Sequence, residues 1–81
     1  MSAQELHAKI QATKKFLNQE MVKTKLQQEA DTLMSFREIG TRLDMIHEAE
    51  RVGVRNLGER QNRKLTRMIN QLEEMKNISL N

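Results

Sequence analysis

Two histidines, two groups of carboxylates and one run of arginines are the residues of this chain that could do chemistry. His7 and His47 stand 40 positions apart (47 − 7), and neither belongs to an HExxH pattern. His47 with Glu48 and Glu50 offers metal-ligating atoms, but positions one apart on a helix do not share a face, so Glu48 points away from His47. With no Cys and no glycine-rich phosphate loop, a nucleophile–base pair, a thiolate metal site and a nucleotide cradle all lack their residues. Glu48–Glu50 and Glu73–Glu74 therefore read as solvated helix charges, and no catalytic, cofactor-binding or metal-binding residue is expected. The chain is expected not to be an enzyme.

The arginine run is the stronger signal. Arg51, Arg55, Arg60, Arg63, Lys64 and Arg67 are opposed between positions 51 and 67 only by Glu59, six cations against one carboxylate, a local charge of +5. Such a run attracts phosphates, whose neutralisation releases counterions. It also suits anionic lipid head groups or an acidic partner helix. The candidate phosphate contacts are Arg55, Arg60, Arg63, Lys64 and Arg67. With Trp and Tyr absent and only two Phe, there is little to stack on bases. A solvated or partner-facing helix surface is the plainer reading of the run, ahead of nucleic acid and of lipid.

These side chains must be carried by helices. The chain has 81 residues, no Pro, and 31% charged residues of mixed sign, which is the composition of long helices. The fold class is all-α: a long amphipathic helix or helices, in a coiled-coil or helical-hairpin assembly. Ser2 with Glu5 has capping-box spacing, and no helix breaker is read from there to Glu38. Leu6, Ile10, Leu17 and Met21 form one stripe, and Val22, Leu26, Leu33, Phe36 and Leu43 continue it with shifted phase. Leu65, Met68, Ile69, Leu72 and Met75 make the cleanest amphipathic stretch. The expected packing seam is Leu26, Leu33, Phe36, Leu43, Leu65, Met68, Leu72 and Met75. Met21, Met34, Met45, Met68 and Met75 are read as adaptable packing residues.

Residues 1–81 are expected to form one helical domain, with 40 and 53–58 as the possible sites of a break. Gly40, followed by Thr41 and Asp44, could sit between a helix end and a new cap; a glycine inside a continuous helix is the preferred reading. Gly53 and Gly58 mark the best turn, after which Asn56 and Glu59 could cap a last helix, and residues 77–81 are expected to fray. No stretch approaches the ~18 apolar residues of a membrane span, and the first residues carry no apolar signal core, so a cytoplasmic or nuclear location is expected. A thin core without large aromatics makes partner helices, most simply further copies of the chain, the expected source of missing burial. The expected function is a scaffold, adaptor or regulatory subunit acting by helix packing. Nucleic-acid binding by a small basic helical protein is an alternative.

Residues 43–75 also resemble a known family. The run LDMIHEAERVGVRNL, then Gln61 with Leu65, Met68, Leu72 and Met75, is similar to the first SNARE helix of the synaptosome-associated (Qbc) membrane-fusion proteins. The resemblance implies a helix entering a four-helix bundle, with Gln61 as a candidate polar layer fixing register among apolar layers. The segment from Gly53 to Gln61 is about two residues shorter than the family's spacing, and holding Gly53 in register puts Arg63 in the polar layer. The family's cysteine-rich lipidation segment and second SNARE helix have no counterpart in these residues.

Overall fold

A computed structural model of the chain describes residues 2–27 and 34–79, with the side chains of 26, 27 and 79 left aside. The described residues form three helices, α1 (Ala3–Gln27), α2 (Phe36–Val52) and α3 (Glu59–Ser79), with a 3-10 turn at Val54–Asn56 and no strand. The chain is all-α.

Each helix starts where its sequence satisfies the free amides of a first turn. At α1, the Ser2 hydroxyl accepts the Glu5 N–H at 3.1 Å. At α2, the Ser35 hydroxyl accepts the Glu38 N–H at 3.2 Å, and Glu38 Oε1 accepts the Ser35 N–H at 3.4 Å, a complete capping box. Removing that hydroxyl removes one arm of the box. Ser35→Ala is expected to cost about 1 kcal/mol, read as a lower urea midpoint with unchanged slope; an unchanged midpoint would show that the cap contributes nothing.

This box corrects the expectation of unbroken helix from Ser2 to Glu38. The apolar spacing of Leu33 and Phe36 hides the cap, because the stripe runs on while the backbone does not. Gly40 lies inside α2, and Thr41 turns its hydroxyl back to the Arg37 carbonyl at 3.0 Å instead of capping a new helix. Helix α2 runs through Gly40 without a break, the arrangement preferred on sequence over a second cap. Between 53 and 58 the chain does turn: α2 closes with the Gly53 N–H on the Ala49 carbonyl at 2.9 Å, and Gly53 takes φ +94°. The cap of α3 is also not the expected one. The Asn56 amide donates to the Val52 carbonyl, while the Gly58 carbonyl accepts the Asn62 N–H and the Gln61 side chain accepts the Gly58 N–H at 3.3 Å. Helix α3 continues to Ser79 through the segment expected to fray; 80–81 lie outside the described residues.

Leu6, Ile10, Phe16 and Leu17 of α1, Met34, then Ile39, Leu43, Ile46 and Ala49 of α2, and Leu65, Met68, Ile69 and Leu72 of α3 form one buried cluster. Gln11 and Lys14, in the first half of α1, reach Glu50 near the end of α2, so these helices run antiparallel. Lys9 meets Glu73 at 3.5 Å, which brings the later part of α3 onto α1. The molecule measures 38 × 25 × 17 Å with a radius of gyration of 13.0 Å. One continuous helix of this chain would be about 120 Å long, and a compact domain of its size has a radius near 12 Å. The long-helix form is therefore replaced by a slightly elongated packing of three helices.

Candidate interaction surfaces

The expected seam divides in the structure. Leu43, Leu65, Met68 and Leu72 are buried, and Met75 is partly buried against them. Phe36 is not in the seam: it occupies the first turn of α2 and is 48% exposed. Val22, on the same expected stripe, is 54% exposed. The reason is phase. The stripe through Leu6, Ile10 and Leu17 faces the core, and a continuation that shifts by one residue at Val22 turns to the outside. The Leu26 side chain and Leu33 lie outside the described residues.

Thr13 and Glu20 are buried core-side polar residues that belong to no motif. Seven apart, and three after Ile10 and Leu17 respectively, they fall on the inward stripe. Helical spacing alone could have found them. The Glu20 carboxylate keeps a partner in Lys23 Nζ at 3.4 Å, whose side chain is 61% exposed.

His7 and His47 are both exposed. Among the described residues no group of three His, Cys, Asp or Glu is placed to hold a metal ion. Glu50 serves as a fastener between helices: it accepts from Lys14 at 3.1 and 3.2 Å and from Gln11 at 3.4 Å. The Lys14 hydrogen bond, above all, holds its carboxyl below the usual carboxylate range, with Lys14 charge, Gln11 and His47 adding to the effect and desolvation opposing it. A depressed folded pKa means the fastening is present above about pH 4.5 and fades as the pH falls through the folded value. Glu48 is likewise lowered by its hydrogen bond to Arg51, whose own guanidinium is raised.

The basic run is split by the fold. Arg51 is held by Glu48 on α2. Arg55 lies in the 3-10 turn, lining a groove with His7, Glu50 and Val54. Arg60, Arg63, Lys64 and Arg67 are all exposed on α3, in steps of three and four that keep them on one outward stripe. Arg63 approaches Glu59 at 3.6 Å, whereas Arg60, Lys64 and Arg67 have no ion-pair or hydrogen-bond partner among the described residues. Gln61, the candidate polar layer, is exposed beside them in the first turn of α3.

With this geometry in hand, comparison with known proteins gives no likeness. No family model matches the chain, and no curated protein or solved structure matches it. No helix among the described residues is long and apolar enough to cross a membrane.

Proposed function

We propose that this chain is a non-enzymatic helical interaction protein, a scaffold, adaptor or regulatory subunit that associates with further copies of itself. The supporting observation is Phe36. The chain has two aromatic residues: Phe16 is buried, and Phe36 is left in water at the start of α2. Burying a Phe side chain is worth about 1.5–3 kcal/mol, and the core of a chain this short has little apolar area to spare. Val22 stands exposed near the end of α1, and because α1 and α2 are antiparallel both residues lie toward the same end of the pair. Single exposed apolar residues are common and need no explanation; two large ones toward one end are surface that a partner can cover.

The seam of α3 is already filled by the chain's own helices, so association is assigned to this end and not to Leu65, Met68 and Leu72. Sedimentation of the wild-type chain over a concentration series should show a mass above that of one chain, with a melting temperature that rises with concentration. The pair Val22→Ser and Phe36→Ser should return the mass to a monomer while leaving the dilute melting temperature nearly unchanged. A wild-type chain that stays monomeric at every concentration rules the proposal out.

A further inference from the structure

The N-terminal half of α3 carries a dense run of exposed cations. The ends of the helix themselves suit the peptide dipole, with Glu59 in the first turn and Lys76 in the last. In α3, Arg60, Arg63, Lys64 and Arg67 crowd the first half, and Glu73 and Glu74 follow later. Glu59 alone supports the first turn, and it is shared with Arg63. Arg60, Lys64 and Arg67 make no ion pair among the described residues, although Lys64 lines a groove with Asp44 and Glu48 of α2. Like charges at steps of three and four along a helix repel one another, and an anionic partner on this face would relieve that repulsion.

The chemistry of the face narrows the kind of partner. The groove beside the stripe is lined by Asn62, Arg63, Thr66, Arg67, Asn70 and Gln71, which offer amides, a hydroxyl and guanidinium groups, with the Glu74 carboxylate at its C-terminal end. No large apolar side chain is exposed on α3 before Ile78. A partner protein helix needs apolar anchors to hold it, and a helix lying in a membrane surface buries an apolar face, which α3 already uses in its own core. A phosphate backbone needs only charge and hydrogen-bond donors.

We propose that the outer face of α3, through Arg60, Arg63, Lys64 and Arg67, docks the phosphate backbone of a nucleic acid without reading its sequence. The proposal goes beyond self-association and does not use Val22 or Phe36. From Arg60 to Arg67 the helix advances about 10 Å. A duplex presents one negative charge per about 1.7 Å of its axis with both strands counted, so roughly six phosphate charges lie along that length, more than four cations can neutralise. Up to four phosphates neutralised gives a log–log salt slope no steeper than about −3.6, and an affinity that falls roughly 150-fold at most between 50 and 200 mM salt. With no exposed aromatic side chain on this face, base stacking adds nothing and all sequences bind alike.

The test measures binding of the intact chain to a fluorescent mixed-sequence duplex DNA over a salt series. The variant is Arg60→Ala, Lys64→Ala and Arg67→Ala together. The control is Lys15→Ala, Lys25→Ala and Arg37→Ala, which removes the same charge from α1 and α2. Far-UV circular dichroism confirms that both remain helical. The α3 variant should lose roughly 100-fold or more in affinity at 50 mM salt and flatten the slope by about 2–3, with the control much closer to wild type. Equal losses in both variants overturn the proposal in favour of bulk charge, and so does an absence of binding by wild type at low salt. Polyglutamate or phosphatidylserine vesicles competing better than the duplex would assign the face to an acidic protein or a membrane instead. None of these outcomes alters the mass measurement on which the self-association reading depends.

Discussion

Replacing Leu72 by Ala should remove about 2–5 kcal/mol of folding stability. Leu72 is 2% exposed and sits in the shared cluster of all three helices, with Ala12, Thr13 and Phe16 of α1 near it. Shortening it removes apolar area from the core and leaves a cavity that rigid neighbours on a second helix cannot fully close. A domain of this size has roughly 4–12 kcal/mol in total, so the variant should melt many degrees lower or be partly unfolded at room temperature. Asn70, two positions away, is exposed on the outward side of α3. Asn70→Ala should change stability by no more than about 0.5 kcal/mol. Thermal and urea melts followed by circular dichroism compare the two directly; similar losses at both positions would refute the assigned face of α3.

Two glycines should respond to the same substitution with opposite signs. Gly53 closes α2 at φ +94°, a conformation L side chains rarely adopt, and a Cβ there would lie 3.2 Å from the Asn56 amide nitrogen. Gly53→Ala is expected to cost about 1–3 kcal/mol through backbone strain. Gly40 lies within α2, where an added Cβ meets nothing within 4 Å. There Ala restricts the unfolded chain and favours the helix, so Gly40→Ala should stabilise by up to about 1 kcal/mol. Urea midpoints of the two variants decide the matter. If Gly53→Ala is neutral, the turn does not depend on its left-handed backbone. If Gly40→Ala destabilises, Gly40 is not an open helical position.

Helix content and the inward face of α3 were legible because both follow from local rules. The absence of Pro and the spacing of Leu65, Met68, Ile69 and Leu72 leave few other structures for that segment. The start of α2 was legible too, in Ser35 and Glu38, but the apolar rhythm across Leu33 and Phe36 outweighed a two-residue cap. Composition could not decide whether the apolar stripes meet one another or a second chain, since that depends on where the backbone reverses. Phe36 illustrates the difficulty: its spacing suits a seam, and its position at a helix start puts it in water. The basic run was visible as charge, but its division among α2, the turn and α3 required the fold.

The six residues 53–58 that join α2 to α3 also set a threshold for any competing helix. A short tether makes docking of α3 an intramolecular event, with an effective concentration on the order of millimolar. The closure entropy of so short a segment is small, since it grows only with the logarithm of length. A foreign helix seeking the place of Leu65, Met68 and Leu72 must outbid α3 at that local concentration. Entry into a four-helix bundle of the kind the 43–75 resemblance implies would require more: release of that seam, and straightening of the chain through Gly53. In the language of exchange, the tether makes this fold a closed system whose seam opens only to a partner much better matched than α3 itself.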